Sequence, residues 1–197
     1  MGTLKYIQRE GNFNCAQEMV YGSNRWKTSS IRQYLNSNAA IGAWWTAQDE
    51  FDIAPAQLTT KPGYLSGLPD DMLSVMKAIK VTTYCNIVND GGAADITYDR
   101  VFLPSLEQMY INPQIAGEGE YHDYWKRVGG STTPYAQHLT YPELKHYAVE
   151  NHASSQSVRL RSASRGHAYH MWSVSSSGLV NISIANVAYR FSPLIFI

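Results

Sequence analysis

The sequence carries no net charge, has few cysteines and lacks a long apolar run. Its 16 basic and 16 acidic residues cancel, so it has no positive field that would attract nucleic acid or an anionic membrane surface. Residues 1–6 contain no apolar stretch of the signal-peptide type, and no segment is apolar for long enough to cross a bilayer. We therefore expect no nucleic-acid partner, no signal peptide in this chain and no membrane insertion.

The only cysteines are Cys15 and Cys85, and they form no CxxC motif. A disulfide framework and a cysteine-based zinc site are therefore poorly supported. Two structural free thiols are the simplest interpretation, because isolated cysteines usually behave as small buried apolar residues.

Motifs of common catalytic and metal sites are also missing. The sequence has no HExxH motif, nucleotide-binding loop or nucleophile elbow. Asp90, Asp95 and Asp99 could offer oxygens to calcium, but their spacing is not that of an EF-hand, and a turn with solvated carboxylates is the simpler interpretation. Glu118 and Glu120 have no evident partners. We predict no enzyme, no catalytic residues, no cofactor and no metal site.

Tyrosine and tryptophan are plentiful: 14 Tyr and 5 Trp stand against 5 Phe. Such amphipathic rings suit half-buried surfaces and interfaces. The length of 197 residues fits a single domain over residues 1–197 with long ordered loops. After Glu150 the charged residues are all arginines, namely Arg159, Arg161, Arg165 and Arg190, so the C-terminal quarter has a distinct surface chemistry.

Apolar periodicity predicts two main helices. The first lies over residues 29–36, with Ser29 or Ser30 as the N-cap. The second begins near Pro69, and its apolar stripe of Met72, Val75, Met76 and Ile79 has helical spacing. A shorter helix is predicted over residues 104–110, and residues 141–148 also have helical character.

Strands are predicted where β-branched and aromatic residues cluster or alternate with polar ones. They are placed at residues 4–7, 80–88, 101–103, 157–162, 169–175, 179–184 and 190–197. Asn89-Asp90-Gly91-Gly92 predicts a turn. Trp172, Val174 and Phe191 are expected in the core.

The sequence contains a set of short motifs: Ser-Asn-Arg-Trp at 23–26, Trp-Trp-Thr at 44–46, Leu-Arg-Ser at 160–162 and Arg-Phe-Ser-Pro at 190–193, with further motifs at 30–36, 63–68, 102–105 and 172–178. In combination they resemble a domain-of-unknown-function family that is abundant in gut bacteria and their phages. The resemblance implies an α+β, C-type-lectin-like fold of the formylglycine-generating-enzyme type, with two main helices, a small antiparallel sheet and long ordered loops. Since a fold does not determine a function, the function must be argued from the site.

The C-terminal segment is similar to the variable proteins of diversity-generating retroelements, in which a reverse transcriptase miscopies template adenines and so converts Asn codons to others. The candidate variable region is 157–190. The resemblance implies a fixed frame of Ala163, Ala168, Trp172, Val174, Ser176, Gly178, Val180, Ala185 and Ala188, with Arg161 in support. It implies ligand-binding variable positions at Ser164, Gly166, His167, Tyr169, His170, Ser173, Ser175, Leu179, Asn181, Ile182, Ser183, Ile184, Asn186, Val187 and Tyr189. Each of these residues can be reached from an Asn codon by changing adenines.

The physical chemistry of this segment agrees with a binding surface, since hydrogen-bonding and aromatic side chains are interleaved with small frame residues. An ordinary β-edge with solvated polar groups is the competing interpretation. We predict a receptor-recognition variable protein that binds a protein or glycan ligand, located on a phage virion tail or a cell surface. The alternative is a non-diversified structural or assembly module of a phage tail or surface protein.

An enzyme of the formylglycine-generating type is a third, distant class. Such chemistry needs a reactive cysteine pair or a copper-thiolate site, and Cys15 and Cys85 lie in no such motif. The histidines at positions 138, 146, 152, 167 and 170 are interpreted as surface or loop residues. The alternative for His167 and His170 is contact with the ligand as variable positions.

Overall fold

The computed structural model describes residues 4–5, 18, 20–50, 52–109, 115–120, 157–175 and 180–197. The prediction for residues 141–148 lies outside these ranges. The complete α-helices in them are α1, Ser30–Leu35, and α2, Asp70–Val75; the 3₁₀ helices are Ala56–Thr59 and Tyr64–Gly67. The strands are β1 Leu4–Lys5, β2 Asp52–Ile53, β3 Ile79–Tyr84, β4 Ala94–Asp99, β5 Val101–Phe102, β6 Val158–Ala163, β7 His170–Val174, β8 Val180–Ile184 and β9 Leu194–Ile195.

The predicted fold class, α+β and C-type-lectin-like with two main helices, is wrong. The described part of the chain is mostly β, and each of its two complete α-helices has only 6 residues. The strands form small antiparallel sheets of two or three strands, ordered β1-β2, β3-β4, β5-β9 and β6-β7-β8. No helix in these ranges is both long and apolar enough to cross a membrane.

The first helix is confirmed with its cap. Ser29 Oγ accepts a hydrogen bond from the backbone N–H of Arg32, and the helix ends at Leu35 with Asn36 as its C-cap. Ile31 and Leu35 are buried on one side, as expected for residues spaced four apart on a helix.

The second helix is shorter than its apolar stripe predicts. It ends at Val75, and Met76 is already extended with φ −65° and ψ 130°. Ile79, the last predicted helical position, starts β3, which pairs in register with β4 from Ile79↔Asp99 to Tyr84↔Ala94. The reason is that the β-branched residues of 79–84 are better accommodated in a paired strand than in a helix.

The predicted helix at 104–110 is also replaced. Residues 106–109 form turns, in which the Met109 N–H donates to the Ser105 carbonyl at 3.1 Å. At the C-terminus, the predicted strand 190–197 reduces to β9, which pairs with β5, and an isolated parallel bridge between Arg190 and Val158.

The buried apolar residues form two clusters. The larger cluster joins α1 to β5 and the C-terminal residues, with Trp26, Leu35 and Phe102 at its centre. The smaller one, formed by Leu106, Met109, Leu160 and Val174, lies under one face of the β6-β7-β8 sheet. The smaller cluster thus packs against the sheet that contains many of the candidate variable positions.

Candidate recognition surface

The loop between β6 and β7 presents several candidate variable positions together. The imidazole of His167 meets that of His170 edge-on, with ring centroids 4.7 Å apart. The Tyr169 ring lies 4.3 Å from His170 and 5.5 Å from Tyr21. These side chains are half-buried, and Gly166 beside them is exposed. With Asn186, they form what we call the recognition patch: Gly166, His167, Tyr169, His170, Asn186 and Tyr21.

The loop that carries the patch is held from below by one side chain. Asn24 is 1% exposed, and its Nδ2 donates to three backbone carbonyls, those of Ser164 at 3.2 Å, His167 at 2.6 Å and His170 at 2.8 Å. The backbone of Asn24 also donates to the carbonyl of Ala168 at 2.9 Å. Because the contacts engage the loop backbone only, they fix its path without specifying the outward side chains.

Asn24 is itself oriented by a buried network. Its Oδ1 accepts from Nδ2 of Asn86 at 3.0 Å, and the same Asn86 nitrogen donates to Asp90 at 2.6 Å. Arg165 adds a second anchor, since its guanidinium donates to the carbonyls of Cys85 and Gly92, both at 2.7 Å. Such pre-organisation lowers the entropy lost when a surface binds a ligand.

Asn186 joins the patch from the segment after β8. Its N–H donates to the Tyr21 carbonyl at 2.8 Å, and its exposed amide donates to the Val20 carbonyl at 3.1 Å. The neighbouring Ala185 donates to the Tyr169 carbonyl at 2.8 Å. The frame positions Ala168 and Ala185 are both fully buried at 0% exposure, which accounts for a small side chain at each.

The strand positions are not all on one side. Side chains alternate across a strand, so the register Trp172↔Ile182 and Ser173↔Asn181 separates two groups of candidate variable positions. His170, Ile182 and Ile184 lie on the face that also carries Val174. Ser173, Asn181 and Ser183 lie on the opposite face.

The face opposite Val174 includes a hydroxyl chain. Ser173 Oγ lies 3.2 Å from Ser183 Oγ, which lies 2.9 Å from the Tyr189 hydroxyl. The guanidinium carbon of Arg159 lies 5.4 Å from the Tyr189 ring centroid. Asn181 is exposed on this face.

Two candidate variable positions are buried, Ser164 at 3% exposure and Ser173 at 2%, so neither presents its side chain to a ligand here. Ser164 Oγ instead lies 3.1 Å from Nδ1 of His167. Ser175 and Val187 are half-buried, while Leu179 and the frame positions Ser176 and Gly178 lie outside the described ranges. The predicted core residue Val174 is buried as expected, whereas Trp172 and Phe191 are half-buried.

Arg161, predicted to support the frame, is buried and makes several hydrogen bonds. Its guanidinium donates to the Leu103 carbonyl at 2.8 Å, to the side chain of Gln108 and to the Glu118 carbonyl. Burial lowers the pKa of Arg161 to about 10, against the opposing effect of the Glu118 carboxylate. Glu118 accepts from Ser162 Oγ and from the Tyr84 N–H, and burial raises its pKa. These hydrogen bonds tie β6 to Leu103, Gln108 and Glu118, and the Glu118 carboxylate in turn contacts the backbone of β3.

The carboxylates considered for calcium serve a structural purpose. Asp95 accepts two hydrogen bonds from Arg25, at 2.6 and 2.9 Å, and Asp99 accepts from Arg32 at 2.7 Å and from Trp26 at 3.1 Å. Both carboxylates lie in β4 and are buried, so the expectation of solvated turn carboxylates is wrong for them. In the ranges that the structure describes, no group of three or more His, Cys, Asp or Glu could hold a metal ion.

Cys85 is buried beside the same carboxylate. Its thiol donates to Asp95 at 3.1 Å. Burial, and then the Asp95 carboxylate, raise the pKa of Cys85 to about 12. A thiol that stays protonated is a poor nucleophile, so the chemistry of this site is structural.

His170 is the patch residue with an unusual proton affinity. Burial, followed by repulsion from His167, lowers the pKa of His170 from its ordinary value of 6.5. Its Nδ1 is buried and has no hydrogen-bond partner among the residues described. The ring is therefore neutral at neutral pH.

The roles of Asn24, Asn86 and Tyr21 follow from the structure alone. Asn24 belongs to the Ser-Asn-Arg-Trp motif at 23–26, but its partners lie more than a hundred residues away, at Ser164, His167 and His170. No local pattern reveals a contact across that separation.

A family model described as a domain of unknown function (DUF6273) matches residues 4–195. No curated protein and no solved structure matches the chain.

Proposed function

The chain belongs to the DUF6273 family, and from the geometry of this member we propose that it is a recognition protein that binds a ligand through the recognition patch. The observation that carries the proposal is the contrast between backbone and side chains in the β6–β7 loop. Asn24 fixes the backbone at Ser164, His167 and His170, while the rings of His167 and Tyr169 remain partly exposed. Binding loops on a rigid scaffold commonly have this arrangement.

The residue types in the patch support binding. Tyr and His offer apolar contact area and hydrogen bonding at a low entropy cost, and Asn adds an adaptable amide. Tyr169 packs against His170 and Tyr21, so its ring is partly ordered before any ligand arrives. We propose a protein or glycan ligand displayed on a target surface, with this protein on a phage tail or a cell surface.

Diversification by a retroelement is the second part of the proposal. It is supported by the residues at the candidate variable positions, each of which an altered Asn codon can encode. Anchoring through backbone carbonyls adds a physical reason, since replacement of His167, Tyr169 or His170 leaves the hydrogen bonds of Asn24 intact. Ser164 and Ser173 would contribute through loop and strand packing instead of through direct contact.

Sequencing the gene and its neighbourhood tests the diversification. We expect a reverse-transcriptase gene nearby and a near-copy of the coding segment for residues 157–190 that differs only at adenines. The variable-position codons should end in C or T. Codons with other endings, or the absence of the near-copy, would contradict the retroelement and leave a non-diversified protein.

A further inference from the structure

A second concave site lies where α1, the 3₁₀ helix Ala56–Thr59 and the segment after β8 meet. Its volume is ≈ 110 Å³, and it shares no residue with the recognition patch. Tyr34, Trp44 and Phe191 form aromatic walls, Tyr189 adds another, and Gln57 and Lys61 contribute polar groups. Mainly aromatic walls with a few polar groups are typical of small-molecule sites.

The aromatic walls are fixed by their contacts with one another and by a hydrogen bond to the backbone. The Tyr34 ring meets Trp44 edge-on at 5.2 Å and Phe191 at 6.3 Å. Trp44 is 5% exposed, and its Nε1 donates to the Lys61 carbonyl at 2.7 Å. The pocket is therefore shaped before a ligand enters, and entry costs little ordering of its rings.

Tyr189 closes the pocket from the C-terminal segment. Its hydroxyl lies 2.9 Å from Ser183 Oγ, and the Arg159 guanidinium lies 5.4 Å from its ring centroid. Tyr189 is also a candidate variable position, so one wall of the pocket belongs to the variable set while Tyr34, Trp44 and Phe191 belong to none of the predicted variable positions.

The size and chemistry of the pocket select the ligand. A dry cavity of roughly 150 Å³ accommodates a benzene ring, so this smaller, open pocket has room for one partly inserted six-membered ring. The aromatic walls of the pocket can stack on the apolar face of such a ligand ring. Gln57 and the exposed Lys61 can donate hydrogen bonds to oxygens at the edge of the ligand ring. The positive charge of Lys61 disfavours an organic cation, although aromatic walls alone would suit one.

We propose that this pocket binds the pyranose ring of a glycan, stacked on Tyr34, Trp44 or Phe191 and hydrogen-bonded by Gln57 and Lys61. The proposal goes beyond the recognition patch. Because the two sites have no residue in common, either one can fail while the other stands.

Titration of ¹⁵N-labelled full-length protein with methyl glycosides tests the proposal. The probes are the methyl glycosides of glucose, galactose, mannose and N-acetylglucosamine, with choline and phenol as comparison ligands. The Trp44 indole N–H signal, assigned with Trp44→Phe, is the reporter. We expect at least one sugar to shift it saturably, with a Kd on the order of 1–10 mM, as the ligand efficiency of one small ring allows.

Variants at the pocket edge make the test specific. Gln57→Ala and Lys61→Ala should each raise the Kd for that sugar by about threefold or more, as expected when one exposed hydrogen bond is lost. Lys80→Ala, an exposed lysine outside the pocket, should leave the Kd unchanged. The proposal is overturned if no sugar gives a saturable shift at about 100 mM, if only choline or phenol binds, or if the edge variants bind like the unaltered protein.

Discussion

The Nδ2 atom of Asn24 lies 2.8 Å from the backbone oxygen of His170, across 146 residues of sequence. The same nitrogen reaches the carbonyls of Ser164 and His167. One buried amide therefore connects the N-terminal part of the described chain to the loop that carries the recognition patch. The amide nitrogen has only two hydrogens, so at least one N–H is shared between two of the three carbonyls.

Asn24→Asp should destabilise the fold strongly while preserving side-chain shape. The carboxylate cannot donate, so the carbonyls of Ser164, His167 and His170 lose a partner and a charge is buried beside them. We expect the free energy of unfolding to fall by about 2–4 kcal/mol, since each buried unsatisfied group costs about 1–3 kcal/mol. Urea denaturation measures it. Asn38→Asp, at an exposed position, is the control, and equal losses in the two variants would contradict the anchoring role.

Stability should decrease on acidification through the pKa of unfolded histidine. Burial and His167 lower the pKa of folded His170 below its ordinary value of 6.5, so the unfolded chain binds this proton more readily. The contribution of His170 to the free energy of unfolding is therefore constant above about pH 6.5. It decreases as the pH falls from about 6.5 toward the lower pKa of the folded state.

Thermal denaturation between pH 7.5 and 5 checks the sign. His170→Asn should show a shallower decrease of Tm with falling pH than the unaltered protein. His167→Asn should also make the decrease shallower, because it removes the repelling charge. Parallel profiles for the unaltered protein and both variants would show that His170 does not carry the effect.

Replacing the buried Arg161 should be among the most destabilising changes in the chain. Arg161→Met removes donors to the Leu103 carbonyl, Gln108 and the Glu118 carbonyl, and it removes a nearby positive charge that lowers the pKa of the buried Glu118 carboxyl. We expect a loss of about 3–5 kcal/mol, because several buried oxygens lose their donor and each buried unsatisfied group costs about 1–3 kcal/mol. Unfolding in guanidinium chloride measures both variants: Arg100→Met, at an exposed site, should change stability by less than about 0.5 kcal/mol.

Cys85 should be protected from alkylation in the folded protein. Its pKa of about 12 leaves almost no thiolate at pH 8, and the thiolate is the reactive form. In a Cys15→Ser background, iodoacetamide should modify Cys85 only after unfolding in urea, as followed by mass spectrometry. Rapid modification of the native protein would indicate a reactive cysteine and revive the enzymatic alternative.

Local sequence patterns predicted the short-range features well. The Ser29 cap of α1, the turn at Gly91 and Gly92, and strands β3, β6, β7 and β8 were all placed near their observed positions, because each depends on neighbouring residues. The extent of α2 was not predictable in this way. The apolar stripe from Met72 to Ile79 has the spacing of a continuous helix, but residues from Ile79 onward instead pair with β4 as a strand.

The site itself could be predicted only in part. The family resemblance gives His167, Tyr169, His170 and Asn186 as candidate variable positions, and the fold brings them close together. Alternation within β7 and β8 could not show which face is covered, so the burial of Ser173 was missed. The anchoring by Asn24 depends on tertiary contacts that have no sequence period.

Binding to intact cells tests the recognition patch most directly. Fluorescently labelled protein would be titrated onto a panel of gut bacterial isolates and read by flow cytometry, alongside a patch variant, His167→Ala/Tyr169→Ala/Asn186→Ala. The control variant, Lys80→Ala/Tyr98→Ala/Asn38→Ala, also alters three side chains, all of them exposed and outside the patch. We predict that the unaltered and control proteins stain the same isolates and that the patch variant loses at least about tenfold in affinity, as when binding-centre residues are truncated. Equal staining by the patch variant would contradict the proposed recognition surface.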